Sequence, residues 1–473
     1  MINIEPKKVF EFFEEISMIP HGSGNLTKIV SYLVDFAKKR NLEYYVDDVN
    51  NVIIKKKGND KKDIIILQGH SDMVCVKTED SNKDLSKDHI DIFVDGEWLK
   101  ADKTSLGGDD GIAVAMILAI LDEDNKDYPN IEALITSDEE TGMNGAIGLD
   151  GSKLAGRKLI NIDSEDEGVF TVSCAGGTHL ESIVKGKKEN VNGTGYKLRL
   201  HNLLGGHSGM SIHKNHANAN IEMARCINDI LNIGFDVRLV DINGGMFDNV
   251  ICDDTVCNII LVDKKDDEFV KSVKELNEIL KNEYSSSDIN ITLDVEKNNN
   301  SNAFTKEDTK NIISLIFSLP NGLIEMSQDF KDLPQTSLNM GVLKTENDNI
   351  KIIQLVRSSI DSRKEYINNK IKNIVSLHGG ECKIKGSYPA WQYNKNSTLQ
   401  SRLVDTYREM YKKDPKVEAT HGGLECGLFM DKIKGLDAIS IGPTVKDVHS
   451  VNEKLEIKSV ERVYNYLREV LLK

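Results

Sequence analysis

Short apolar runs that lead into an acidic or imidazole side chain recur along this chain of 473 residues, and they constrain its fold more than any other feature. Runs 64–67, 131–136, 159–162 and 436–441 have the length and composition of buried strands. Helical patterns lie between them, which predicts an α/β fold whose mostly parallel sheet is covered by helices on both faces. The polar side chains associated with such runs are His70, Asp72, Asp109, Glu139, Glu140, Asp163 and His449, of which Asp109 opens an apolar helical run.

These side chains are predicted to form one hydrolytic site, because ligands of open α/β sheets bind beyond the carboxyl ends of the strands. Imidazole and carboxylate ligands without thiolates are typical of catalytic zinc, manganese or cobalt. One carboxylate shared by two ions leaves room for a water that is activated as a nucleophile. We therefore predict a two-metal site with Asp109 as the bridge. His70 and Asp163 would hold one ion, and Glu140 and His449 the other.

Two further acids would assist the ligands. Asp72 lies two residues after His70 and could accept the second N–H of its imidazole, which orients a ligand. Of the neighbours Glu139 and Glu140, one can ligate and the other can act as general base, because successive side chains of an extended chain point opposite ways. The sequence does not decide which does which.

Each motif is also compatible with a purely structural role. Asp109 and Asp110 could simply cap the following helix, since Asp is a preferred N-cap residue. The Glu139–Glu140 pair could be a solvated turn, and Asp163 could belong to the charged loop DSEDEG. The placement of all these residues at predicted strand or helix ends favours the shared site.

The length of the chain predicts two domains, because a single core rarely grows to this size. Residues 186–386 are interrupted by polar stretches such as 297–302, and we interpret them as an inserted domain. Residues 1–185 and 387–473 would then form the catalytic domain. His449 would come from the returning segment.

Charge and cysteine content restrict the partners and the compartment. The formal charge is −15, from 60 Lys and Arg against 75 Asp and Glu, which argues against nucleic acid or an anionic membrane as the main partner. The seven cysteines include no CxxC pair, which is typical of a reduced protein. The first residues do not have the cationic segment and apolar stretch expected of a signal peptide, and no apolar run is long enough for a membrane helix. These features predict a cytoplasmic protein.

Seven motifs resemble one family in their order along the chain: LQGHSDMV, LGGDDGIA, SDEETGMNGA, NIDSEDEG, GGHSG, HGGLECGLF and GPTVKDVHS. They are similar to those of the aminoacyl-histidine dipeptidases, which are cytosolic dinuclear zinc peptidases of the carnosinase-like clan. The resemblance covers nearly the whole chain. It implies a zinc-peptidase catalytic domain, an inserted α+β lid domain that binds substrate and dimerises, and a homodimer. It also implies two divalent metal ions, zinc first, with manganese or cobalt as alternatives.

The resemblance also implies a role for individual residues. His70, Asp109, Glu140, Asp163 and His449 fall on the family's ligand positions, Asp72 on the orienting acid and Glu139 on the general base. In the lid, His207 would help to bind the oxyanion, often in the partner subunit's site, while Asn249 and Arg357 would contact substrate.

Taken alone, the lid residues do not require a role in binding. His207 could be a loop residue and Arg357 a surface charge, although a guanidinium suits the free carboxylate of a dipeptide. His421 opens a Gly-rich turn into a helix whose N–H groups could hold an anion, and we interpret it as substrate-binding. Asp110 departs from the family pattern, because members often carry Asn after the bridging acid.

The predicted function is metal-dependent hydrolysis of dipeptides, of the Xaa-His type including β-Ala-His, by a water between the metals with Glu139 as base. A tripeptide aminopeptidase or an N-acyl-amino-acid deacylase of the same clan is the nearer alternative. A metal-binding protein without catalysis is the more distant one.

Overall fold

The computed structural model describes residues 4–473. The helices of this part of the chain are α1 (Lys7–Ser17), α2 (Thr27–Lys39), α3 (Gly108–Asp122), α4 (Asn144–Gly148), α5 (Ala219–Asn232), α6 (Asp266–Glu283), α7 (Lys306–Ser318), α8 (Asp361–Leu377), α9 (Thr398–Tyr411), α10 (Glu425–Lys432) and α11 (Ile457–Leu472).

The strands are β1 (Glu43–Val46), β2 (Val52–Lys56), β3 (Ile65–His70), β4 (Ile92–Asp95), β5 (Trp98–Ala101), β6 (Ile131–Thr136), β7 (Lys158–Asn161), β8 (Val169–Cys174), β9 (Gly176–Lys185), β10 (Lys188–Asn190), β11 (Thr194–His201), β12 (Val237–Gly244), β13 (Thr255–Leu261), β14 (Thr292–Asn298), β15 (Asn302–Phe304), β16 (Gly322–Met326), β17 (Pro334–Glu346), β18 (Asn349–Ser358), β19 (Glu381–Tyr388), β20 (Lys416–Thr420), β21 (Asp437–Ser440), β22 (Val445–Lys446) and β23 (Lys454–Glu456).

The chain divides into two compact units. The first contains the chain up to Cys174 together with Tyr393–Ala419 and Leu424–Lys473. The second contains Ala175–Gln392 and Thr420–Gly423. The assignment of residues 186–386 as a lid stays a prediction.

The first unit is built on a mixed sheet of eight strands in the order β1-β2-β6-β3-β7-β21-β8-β20. The four central strands β6, β3, β7 and β21 are parallel, whereas β1, β2 and β8 pair antiparallel at the sides. The predicted α/β fold is therefore confirmed, with its parallel strands at the centre of the sheet. A smaller antiparallel sheet has the order β22-β23-β5-β4.

Apolar helices cover the first unit's large sheet. Every residue of α3 from Gly111 to Leu121 is buried, as a helix that is apolar on all sides requires. This helix packs against α1 and β3. The apolar face of α1, including Phe10 and Phe13, is buried as well.

The register of the central strands aligns their carboxyl ends. His70 at the end of β3 is paired with Thr136 at the end of β6, and Gln68 of β3 is paired with Asn161 at the end of β7. Side chains just beyond these residues therefore emerge at one edge of the sheet.

The second unit is α+β. Its main sheet is antiparallel, with the order β14-β11-β13-β12-β17-β18-β9-β19 and β16 paired with β17. Helices α5, α7 and α8 pack against this sheet around one apolar core. A small second sheet pairs β10 with β15.

Within residues 4–473, no helix has the length and apolar character that a bilayer crossing needs. None of the seven cysteines, all of which lie in this described range, forms a disulfide.

Candidate metal centre

The predicted ligands come from five separate segments of the first unit. His70 is the last residue of β3, and Asp163 follows shortly after β7. Glu140 lies in the turn after β6, and Asp109 stands in the non-helical first turn of α3. His449 occupies the turn between β22 and β23 with a positive φ of 59°. A short hairpin, rather than the predicted strand 436–441 directly, therefore carries this last ligand.

Asp109 lies between the two histidines. Its Oδ1 is 3.2 Å from His70 Nε2, and its Oδ2 is 3.3 Å from His449 Nε2. Asp163 Oδ1 lies 3.6 Å from His70 Nε2, and Glu140 Oε1 lies 2.9 Å from His449 Nε2. The structure thus brings the five residues together in the two sets that the sequence predicted. In each set the possible ligand atoms all lie within 4.8 Å of one another.

These distances fit two divalent cations. Bonds of about 2.0–2.2 Å to a tetrahedral ion place neighbouring ligand atoms about 3.3–3.6 Å apart, close to the separations observed here. The donors are imidazole nitrogens and carboxylate oxygens, which suit zinc, manganese and cobalt. Asp109 offers one oxygen to each set, as a bridging ligand must.

The acids of the centre are crowded enough to favour a cation. Burial raises the pKa of Glu139 to about 9, and the carboxylates of Asp163, Glu425 and Glu140 add to the rise against the opposing charge of His70. Burial also raises the pKa of Asp163, and the charges of Asp109 and Glu140 add to this rise. Divalent ions would stabilise the charged form of these carboxylates.

The geometry separates the roles of the two adjacent glutamates. Both lie close enough to His70 to form a possible ligand group with it. Glu140 alone is hydrogen-bonded to His449, at 2.9 Å. Within residues 4–473, no hydrogen bond engages the Glu139 carboxylate. This arrangement favours Glu140 as the ligand and leaves Glu139 free for proton transfer.

Asp72 lies beside both the His70 imidazole and the glutamate pair. His70 Nδ1 contacts the backbone oxygen of Asp72 at 2.9 Å, whereas the Asp72 carboxylate lies 3.6 Å away, too far for a hydrogen bond. The carboxylate instead accepts the backbone N–H groups of Glu139 and Glu140 and the hydroxyl of Ser23. Its hydrogen bonds position the glutamate pair, while its charge lies 3.6 Å from the imidazole.

A model of the peptidase family M20/M25/M40 matches residues 66–473, a range that contains the whole cluster. The chain belongs to this family. It is a peptide-bond hydrolase, and the resemblance drawn from its motifs is confirmed.

Named relatives agree with this assignment. The M20-family chain is 36% identical over 474 residues to the cytosol non-specific dipeptidase of Escherichia coli K12, covering 99% of this chain and 98% of the relative. The crystal structure of the aminoacylhistidine dipeptidase from Vibrio alginolyticus superposes with a TM-score of 0.93 at 33% identity, covering 99% and 97% of the two chains. An aminopeptidase structure from Bacillus cereus has a TM-score of 0.59 at 15% identity, covers 99% and 98% of the two chains, and shares the fold.

Asp110 of this M20 peptidase does not compete with the bridging acid. Its side chain is buried, and its Oδ2 accepts the backbone N–H of His70 at 3.1 Å. Burial raises the pKa of Asp110 well above its usual range, with a contribution from Asp163. A Cβ at position 69 would approach Asp110 Oδ2 to 2.6 Å, so Gly69 makes room for this contact.

A buried hydrogen-bond network beneath the centre was missed by sequence reasoning. Glu425 Oε2 accepts from Gln68 Nε2 at 2.7 Å and from Thr136 Oγ1 at 2.9 Å, and Asn161 Nδ2 donates to Gln68 Oε1 at 2.6 Å. These side chains join the ends of β3, β6 and β7. Gln68 and Asn161 each stand two residues before a ligand, but polar residues inside apolar strands gave no signal that they contact one another.

The second unit holds the four residues predicted to bind substrate. Arg357 of β18 is 6% exposed and donates to Tyr388 Oη at 3.0 Å. Among residues 4–473 no carboxylate forms an ion pair with it, and its Nε is buried without a hydrogen-bond partner. A buried cation of this kind is suited to an anionic ligand.

Two histidines lie near this arginine. His421 is buried and hydrogen-bonded to Ser337 Oγ at 2.7 Å, and burial, together with Arg357 and His213, lowers its pKa to about 3. His207 accepts the backbone N–H of Gly209 at its Nδ1, and burial with the charge of Arg357 lowers its pKa. Both rings are therefore held neutral.

Asn249 is exposed, and its contact with the group runs through the backbone. Its carbonyl oxygen accepts the N–H of Ser208 at 2.8 Å, next to His207. The structure therefore brings Asn249 beside His207, while its amide remains available to a ligand.

Proposed function

We propose that this M20-family peptidase is a metal-dependent dipeptidase that prefers Xaa-His dipeptides, including β-Ala-His. The observation that carries the proposal is the Asp109 carboxylate, which faces one histidine–carboxylate set with each oxygen. The Glu139 carboxylate lies beside these sets and has no hydrogen-bond partner among the described residues. The names of the two full-length relatives, a non-specific dipeptidase and an aminoacylhistidine dipeptidase, support this substrate class.

Residues of the first unit would bind the metal ions and transfer the proton. His70, Asp109 and Asp163 would hold one divalent ion, and Asp109, Glu140 and His449 the other. The ions, zinc first with manganese or cobalt as alternatives, would lower the pKa of a water and polarise the scissile carbonyl. Glu139 takes the proton of the attacking water and passes it to the leaving amine.

Substrate recognition is proposed for the second unit. Arg357 would bind the free carboxylate of the dipeptide, because it is a buried cation whose Nε donor has no partner in the described chain. Neutral His207 would donate a hydrogen bond to the developing oxyanion. Asn249 and His421 would complete the substrate contacts.

The assembly proposed is a homodimer in which His207 serves the partner subunit's site. A mixture of the inactive variants Glu139→Gln and His207→Ala tests this directly. In a mixed dimer, one site would combine Glu139 from the His207→Ala subunit with His207 from the Glu139→Gln subunit. Activity should therefore reappear on mixing. Light scattering should give the mass of a dimer. A monomer, or no recovery after subunit exchange, would contradict the assembly.

The activity itself is tested with a substrate panel on the metal-loaded protein. We expect cleavage of Xaa-His dipeptides to exceed that of other dipeptides, tripeptides and N-acyl amino acids in kcat/KM. Cleavage of tripeptides or N-acyl amino acids without any dipeptide would favour the other members of the clan. Metal binding that stabilises the fold without any hydrolysis would favour a binding protein.

A cytoplasmic location is also proposed. It is supported by the absence of disulfides among the seven cysteines of the described chain and by the name of the Escherichia coli relative. Fractionation of the source cells should recover the protein with the soluble cytoplasmic markers. Recovery with the membrane or secreted fraction would contradict it.

A further inference from the structure

The Glu453 carboxylate is hydrogen-bonded to the loop that carries Asp109. This side chain is only 3% exposed. Its Oε2 accepts the backbone N–H groups of Leu106 and Gly107 at 2.8 and 3.1 Å, and its Oε1 accepts those of Gly108 and Asp109 at 2.8 and 3.2 Å. Both oxygens of one carboxylate are thus used to hold four consecutive amides.

The same residue ends the turn that carries His449. Its own N–H donates to the backbone oxygen of Ser450 at 3.3 Å, and Ser450 Oγ donates to the oxygen of Asp447 at 2.6 Å. Pairing of β22 with β23 closes this turn. Glu453 therefore joins two segments that lie far apart in sequence, one with Asp109 and one with His449.

The loop is shaped for this contact. Gly107 has a φ of 69°, a conformation that favours glycine. A Cβ on Gly108 would stand 3.2 Å from Glu453 Oε1, closer than a side chain normally packs. The two glycines before Asp109 let the carboxylate reach all four amides.

We propose that Glu453 is a positioning residue for the ion held by Asp109, Glu140 and His449, and that it sets the separation of Asp109 and His449. The proposal rests on the proposed function, because it requires this ion site to exist. Glutamine at position 453 would keep one acceptor oxygen, but its NH₂ group is a donor and would face two backbone N–H donors. Two of the four hydrogen bonds would be lost. The Asp109 loop and the His449 turn would then move apart. The protein would bind the ion between Asp109, Glu140 and His449 less tightly.

The test compares Glu453→Gln with Glu132→Gln. Glu132 is a matched control, because it is also 3% exposed, lies in the same unit and accepts the backbone N–H groups of Ala155 and Gly156. None of its hydrogen bonds within residues 4–473 involves a predicted ligand. Loss of either carboxylate should lower the melting temperature.

Ion affinity separates the two variants. Chelator competition with Mn²⁺ and the absorption spectrum of the Co²⁺-loaded protein are measured below the melting temperature. Glu453→Gln should bind one ion roughly 10–100-fold less tightly, with a changed Co²⁺ spectrum, whereas the affinity for the other ion should change less. Glu132→Gln should bind both ions as the wild type does.

The outcomes that overturn the proposal are specific. The proposal is overturned if Glu453→Gln binds both ions with wild-type affinity. It is also overturned if Glu132→Gln loses as much ion affinity as Glu453→Gln. If Glu453→Gln does not fold, Glu453→Asp keeps the charge but reaches fewer amides, and wild-type affinity in that variant overturns the proposal equally. A wild-type protein that binds no ion overturns the proposed function as well, which distinguishes the two failures.

Discussion

The carboxylate of Asp72 accepts the backbone N–H of Glu139 at 2.9 Å, so the residue two positions after the first ligand holds the proposed base in place. The same carboxylate reaches the N–H of Glu140 at 3.3 Å. One buried acid thus positions the proposed base and a proposed ligand together.

Asp72→Asn should lower kcat by roughly 10–100-fold, because an amide cannot accept through both of its polar atoms. KM should change less, since Asp72 has no role in substrate contact. Steady-state kinetics of the metal-loaded variant measures both values. Ser23→Ala removes only the hydroxyl that donates to Asp72 and serves as the milder control. Equal kinetics of Asp72→Asn and wild type would contradict this role.

Glu139→Gln should retain both ions and lose turnover by roughly 10²–10⁴-fold, because it removes the group that transfers the proton. Metal analysis and kinetics on the same sample give the two numbers. Glu140→Gln is the comparison, and it should lose an ion. Near-normal turnover in a metal-replete Glu139→Gln protein would remove Glu139 from the mechanism.

Removal of the metal ions by a chelator should abolish hydrolysis and lower the melting temperature. The ligand acids then repel one another, and the binding free energy that supported the fold is lost, about 2.7 kcal/mol per ion at a free ion concentration of 100 Kd. Calorimetry and activity assays follow the loss. Zinc, manganese or cobalt should restore both properties. Full activity in verified metal-free protein would contradict the metal site.

Arg357→Lys should raise KM for dipeptides by roughly 10–100-fold, because the ammonium group cannot make the two parallel hydrogen bonds of a guanidinium. Dipeptide amides lack the carboxylate, so wild type and variant should cleave them equally slowly. Arg363→Lys is a matched control, since this arginine already pairs with Glu325. The same KM for free dipeptides in wild type and Arg357→Lys would refute the carboxylate contact.

His421 should make the protein less stable as the pH falls. Its folded pKa of about 3 lies below the ordinary value of 6.5, because the ring is buried near Arg357 and His213. The unfolded chain therefore binds the proton first, and stability is lost as the pH drops from about 6.5 to about 3, by up to about 4 kcal/mol. Denaturant unfolding of wild type and His421→Gln across this range measures the difference. Parallel pH profiles would contradict the prediction.

Local patterns predicted much of the fold and the ligand set. The strands that end at His70 and Thr136 could be predicted because a buried strand is a short apolar run. His70 and Asp109 could be singled out because a polar side chain stands where an apolar strand ends or an apolar helix begins, and such ends meet at one edge of the sheet. His449 lies in a hairpin turn, which no apolar run leads into directly.

The sequence by itself determined which residue types could act as ligands and their order along the chain, since these depend on neighbours along the chain. Only the tertiary structure decided that the Asp72 carboxylate accepts the Glu139 N–H, and that Glu453 holds the Asp109 loop. Such contacts join segments dozens to hundreds of residues apart. They depend on strand register and on close packing, which local periodicity does not encode.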